Sequence, residues 1–210
     1  MWIVKIGGSL TRNPLLPAWL ELLVQCGGGR VTVVGGGGGF ADEVRRTQAH
    51  WRFDELCAHN MAVLAMAQTA YLMHGLNPAL QLTRSKSDIR RVLHNGRTAL
   101  WLPYEMQREQ PTANTHWDCS SDSIALDLAR RLNAERLVVV KSCEIDPKAS
   151  LARLSEAGVV DRRFAALSDG ASFPIDIVHH DELGRVRELL LGGVRYIDAL
   201  GARDGAAGTR

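Results

Sequence analysis

Lys5 closes a short apolar run, and Ile6, Gly7, Gly8 and Ser9 follow it directly. That spacing sets a cation beside backbone bare enough to approach an anion, with a hydroxyl donor next to it. A second cluster, five glycines at residues 35–39, follows the β-branched stretch RVTVV. Gly36, Gly37 and Gly38 stand just before a helical pattern, where N–H groups and the helix dipole favour phosphate or carboxylate. A purely structural reason for five consecutive glycines is hard to find, because each loses much conformational freedom on folding.

Asp122 falls in the first turn of the helix read in SSDSIALDLARRLN, with Ser120 or Ser121 as its N-cap. Lys141 ends the run VVVK, and Ser142 stands behind it. Asp118 lies one loop-step before the helix, beside Trp117, whose ring can pack on a planar ligand. His59 sits on a long helical pattern between Ala58 and Asn60. Each residue also has a plainer reading. The first loop can be a tight turn, Asp122 a capping acid, Lys141 a snorkelling side chain and His59 a structural or surface histidine.

Two familiar phosphate motifs do not fit. Gly36, Gly38 and Ala41 satisfy the dinucleotide pattern GxGxxG/A. The acids about 20 residues on, Asp54 and Glu55, lie in a helical pattern with no strand before them. No Gly-Lys-Ser/Thr follows the glycines, so this is not a P-loop.

The elements that must position these groups alternate. Strands are expected over 2–6, 30–34, 136–142 and near 174–179, with helices over 14–26, from Phe40, over Asp54–His74, around 149–157 and over 181–191. The stretch 84–103 reads as a short helix and two strands joined by a turn at Asn95-Gly96. Residues 104–117 read as loop. The pattern predicts an α/β fold, a three-layer αβα sandwich with a mainly parallel central sheet, whose ligands bind beyond the carboxyl ends of the strands. One domain over 1–200 is expected, with a frayed tail at 201–210.

With 210 residues, 46% hydrophobic, 23% charged and a net charge of +2, the composition is that of a soluble globular protein and nominates neither nucleic acid nor a membrane surface. No apolar run is long enough to span a membrane and no signal-peptide pattern is read, so a cytoplasmic protein is expected. Cys26, Cys57, Cys119 and Cys143 are scattered and read as reduced thiols, with no metal site among them.

Taken in order, KIGGS, VVGGGGGFADEVR, SSDSIALDLA and VVVKS resemble the amino acid kinase superfamily over roughly residues 1–165. A narrower likeness rests on LWLPYEM, WDCSSDSIALDLA and AHNMAVLAM, which look like the branch containing the (aminomethyl)furanylmethyl phosphate kinase of methanofuran biosynthesis. The resemblance implies transfer of the ATP γ-phosphoryl group to a small phosphate acceptor, with Mg²⁺ bridging phosphate oxygens and few direct protein ligands. It implies Lys5 and Asp122 as catalytic residues, with Lys5 neutralising the transferred group. Gly7, Gly8, Ser9, Ser121, Lys141, Ser142, Asp161 and Arg162 would bind the nucleotide. Gly36, Gly37, Gly38, Arg45, His59, Trp117 and Asp118 would bind the acceptor. The acceptor side would run over about 30–117, the nucleotide side over about 118–200, and a homodimer would form through the long helix. One departure stands out. In AGVVDRRFA, Arg162 or Arg163 occupies the place where many members of the family carry a second catalytic lysine. A non-catalytic nucleotide or oxoanion binder on the same fold is the competing reading, and Lys5 together with Asp122 favours the enzyme.

Overall fold

The computed structural model describes residues 1–107 and 117–192; part of the loop expected over 104–117 and the tail expected at 201–210 lie outside the described residues. Six strands form one sheet: β1 (Trp2–Ile6), β2 (Val31–Gly35), β3 (Gln81–Thr83), β4 (Ala99–Trp101), β5 (Arg136–Lys141) and β6 (Ile175–His179). Their order is β3-β4-β2-β1-β5-β6, and every neighbouring pair is parallel. The helices are α1 (Leu16–Gly27), α2 (Gly38–Trp51), α3 (Glu55–Leu76), α4 (Lys86–His94), α5 (Tyr104–Gln107), α6 (Ser121–Arg131), α7 (Leu151–Glu156) and α8 (Phe164–Ser168). A further helix passes through residues 183–192.

The alternation of side chains along β1 sorts the core into two layers. Trp2, Val4 and Ile6 pack with Leu20 and Leu23 of α1 and with Val186 and Leu190. Ile3, on the opposite face, packs with Ala125, Leu128 and Ala129 of α6 and with Phe164 of α8. The expected αβα sandwich is therefore the observed fold, and its sheet is parallel throughout.

The strand expected before Asn95-Gly96 is a helix instead. Ile89, Val92 and Leu93 follow a helical period and are buried, and Ser85 and Asp88 form a capping box at the start of α4. Asn95 caps that helix and Gly96, at φ +70°, turns the chain into β4. Besides β2, β4 pairs with the short β3, which the sequence reading passed over because three residues carry almost no period. In the loop expected from residue 104, Tyr104–Gln107 form a helical turn. The glycine cluster also differs in form, since α2 begins at Gly38 and not at Phe40.

Candidate active site

In this sheet the strand order places β1 at the centre, with β2 on one side and β5 on the other, so the chain leaves β1 and β5 in opposite directions. Such a switch point opens a crevice at the carboxyl ends of the strands. Lys5 is paired in register with Val139, and Lys141 lies two residues further along β5 on the same face. Both lysines thus point toward the side covered by α6. Asp122, in the first turn of α6, meets them: Lys5 Nζ is 2.5 Å from Oδ1, and Lys141 Nζ donates a 2.8 Å hydrogen bond to Oδ2. Oδ1 has no donor aligned with it among the described residues, so the Lys5 contact is a close charge pair and not a directed hydrogen bond.

The side chains of Lys5 and Asp122 are 3% and 2% exposed, which makes their charges costly unless paired. Burial pushes the Asp122 carboxyl upward, but the ammonium groups of Lys5 and Lys141 outweigh it and hold the pKa below the ordinary value of 3.8. Lys5 lies below the ordinary 10.5, first because of burial and then because Lys141 repels its charge, while Asp122 opposes both. Asp122 is thus an ionised hub with both oxygens engaged. That leaves it unsuited to act as a base or to offer a vacant carboxylate to a metal ion.

The two glycine loops meet backbone to backbone at this crevice. A Cβ on Gly8 would lie 2.3 Å from the Gly38 nitrogen, and one on Gly36 would lie 2.5 Å from the Gly8 nitrogen. Gly38 itself has φ +53° and sits against the Gly8 carbonyl. Only residues without side chains permit that approach. Ser9 and Ser142 share a hydrogen bond of 2.6 Å, joining the loop after β1 to the end of β5.

A cleft of about 420 Å³ opens from this junction. It is lined by Lys5, Gly8, Ser9, Gly37, Gly38, Ser121, Asp122 and Lys141, and by Arg45, His59 and Trp117. The Arg45 guanidinium stacks over the Trp117 ring at 4.4 Å from its centroid and pairs with Asp42 at 2.9 Å. His59 Nε2 lies 3.3 Å from the Gln107 carbonyl oxygen.

The sequence model of the Amino acid kinase family matches residues 1–144, more than half of the chain. The chain belongs to the amino acid kinase family. It is similar to the (aminomethyl)furanylmethyl phosphate kinase of Methanocaldococcus jannaschii, at 26% identity over 141 residues. That alignment covers 66% of this chain and 64% of the relative's length. Among solved structures, the UMP kinase of Bacillus anthracis superposes with a TM-score of 0.62 at 17% identity, covering 91% of each chain. The uridylate kinase of Archaeoglobus fulgidus superposes at 0.63 and 15% identity, over 91% of this chain and 95% of that one. An isopentenyl phosphate kinase superposes at 0.57 and 15% identity, over 91% and 96%. These structures share the fold.

In this member of the family several expected site residues stand elsewhere. Gly7 donates its N–H to the Val140 carbonyl and Gly36 donates to Ile6, so both act as braces behind the cleft wall. The Asp161 carboxylate accepts from the backbone N–H and the hydroxyl of both Ser120 and Ser123, and so clamps the N-terminus of α6 that carries Asp122. Arg162 is 84% exposed and pairs with Asp118 at 3.6 Å; neither residue lines the cleft. Arg162, one of the two arginines expected at the place of the second lysine, therefore lies largely in solvent. The sequence reading missed Thr11, Arg12, Asp42 and Glu55, all of which line the cleft. Arg12 had a signal, since it is a second basic residue just beyond the first glycine loop; Glu55 had none, because only tertiary packing brings α3 to this wall. None of the four cysteines forms a disulfide.

Proposed function

We propose that this protein is an ATP-dependent kinase that moves the γ-phosphoryl group to a small phosphate monoester and makes a diphosphate. The acceptor in this reading is an aminomethyl-furan methyl phosphate of methanofuran or methylofuran biosynthesis. The observation that carries it is the Lys5–Asp122–Lys141 cluster at the point where the two glycine loops touch. A cation held between two anion-binding loops suits in-line transfer between two phosphates, where catalysis is mostly positioning and charge stabilisation.

An acceptor phosphate oxygen attacks the γ-phosphorus, the bond to the β–γ bridging oxygen breaks, and ADP leaves with that electron pair. No base is needed, because the acceptor is already ionised. Lys5 neutralises the group in flight, Lys141 and the Gly8 and Ser9 side hold the nucleotide phosphates, and Gly37, Gly38, Arg45 and His59 hold the acceptor. Asp122 keeps both ammonium groups aimed. Mg²⁺, when bound, would supply charge neutralisation to the phosphates. The exposed apolar surface of α3 is read as a homodimer contact.

The test is ATP turnover against a panel of furan methyl phosphate, isopentenyl phosphate, nucleoside monophosphates and amino acids, run beside ATP binding. Diphosphate formation from a monoester, reduced at least a hundredfold in a Lys5→Ala variant that circular dichroism shows to be folded, supports the reading. ATP binding with no turnover of any acceptor supports the non-catalytic binder.

A further inference from the structure

Among the described residues, the cleft holds one carboxylate that the phosphate chemistry does not use. Of the three carboxylates lining it, Asp122 is neutralised by Lys5 and Lys141, and Asp42 pairs with Arg45. Glu55 has no cation within ion-pair distance among the described residues. It is nevertheless held in place. Gln48 Nε2 donates 3.1 Å to Glu55 Oε1 and 3.3 Å to the Phe53 carbonyl, while Gln48 Oε1 accepts the Trp117 indole N–H at 2.5 Å. Because the indole nitrogen only donates, it fixes which end of the Gln48 amide faces Glu55. A single amide therefore sets both a carboxylate and an aromatic ring on the acceptor wall.

A carboxylate that no described cation neutralises, in a cleft that receives a phosphate, repels the substrate unless the substrate brings a compensating cation. We propose that Glu55 is a specificity-determining residue that binds a positively charged amine on the acceptor, so that the preferred acceptor is a zwitterion with phosphate at one end and ammonium at the other. This rests on the kinase reading above, and the aminomethyl group in the name of the Methanocaldococcus jannaschii relative agrees with it. Glu55 also lies in the first turn of α3, where an acid favours the helix dipole. That role affects stability alone and cannot discriminate between acceptors.

The experiment compares wild type, Glu55→Gln and Glu55→Asp on two acceptors, the aminomethyl-furan methyl phosphate and its analogue with a methyl group in place of the aminomethyl. Wild type is expected to favour the amine in kcat/KM by roughly tenfold to a hundredfold, the worth of a charge-assisted hydrogen bond. Glu55→Gln should lose that preference through the amine-bearing acceptor alone, with ATP KM unchanged, and Glu55→Asp should restore part of it. Equal use of both acceptors by wild type, or an equal loss on both in Glu55→Gln, overturns the assignment. If neither furan is turned over, the acceptor reading has failed, and calorimetric binding of phosphoethanolamine against ethyl phosphate decides Glu55 separately. Tighter binding of the amine by wild type but not by Glu55→Gln supports the assignment, and equal binding overturns it.

Discussion

Asp122 carries two ion contacts on a side chain that is 2% exposed, so its charge and those of Lys5 and Lys141 are mutually dependent. Asp122→Asn leaves two ammonium groups in a dry site with no counter-charge, and the expected loss is about 3 kcal/mol of stability at neutral pH. The pH dependence follows from the depressed carboxyl. Between its folded pKa and the ordinary 3.8, the unfolded chain binds a proton that the fold does not, so stability rises with pH through that window. The Asp122 contribution is complete above 3.8 and is lost as the pH falls through the lowered value. Urea midpoints followed from neutral to acid pH should show the gap between wild type and Asp122→Asn narrowing; a gap that stays constant argues against an ionised Asp122. Lys5 acts in the same sense at the alkaline end. Its lowered pKa means the unfolded chain keeps its proton longer, so this residue makes stability rise with pH toward 10.5.

At the scale of elements, the site depends on two loops and one helix end being held in contact. Gly8→Ala puts a methyl group 2.3 Å from the Gly38 backbone nitrogen, and backbone cannot swing aside as a flexible side chain can. The loops must part. The expected cost is about 1–3 kcal/mol in stability, with turnover reduced roughly a hundredfold through misplacement. Gly75→Ala is the matched control, since a Cβ there meets nothing within 4 Å near the exposed end of α3. It should raise stability by about 0.5–1 kcal/mol and leave activity unchanged. Thermal melts and kcat on the two variants separate close packing at the loop junction from a general intolerance of glycine replacement. The Asp161 clamp belongs to the same scale, because it fixes the helix end that aims Asp122.

For the molecule as a whole, α3 is the longest helix described and carries Leu64, Tyr71, Leu72 and Leu76 exposed along it. Leu64 and Tyr71 are seven residues apart and Leu72 and Leu76 are four apart, so they form two neighbouring rows of one broad exposed apolar surface. Under the proposed homodimer, Tyr71→Glu should shift the sedimenting species to a monomer, while the melting temperature of the monomer and the triad geometry remain. A wild-type monomer, or a Tyr71→Glu dimer, removes that arrangement. Among the described residues no helix is long and apolar enough to cross a membrane.

Much of this was readable from residue order. VVVK and RVTVV declare buried strands because continuous β-branched runs suit a sheet covered on both faces, and the glycine clusters after WIVKI and RVTVV declare close approach of backbone. The period of Ile124, Leu128 and Leu132 declares α6 and puts Asp122 in its first turn. Sequence alone determined the types of the elements, their alternation and the residues able to bind phosphate, since those depend on local period and side-chain chemistry. Tertiary structure decided which of them meet. Lys5 is separated from Asp122 and Lys141 by more than a hundred residues of chain, and only strand register and helix packing bring their charges within contact. The same packing turned Arg162 outward, gave Asp161 to the helix cap and brought Glu55 to the cleft, because orientation across a sheet edge is a property of the packed layers and leaves no mark on local spacing.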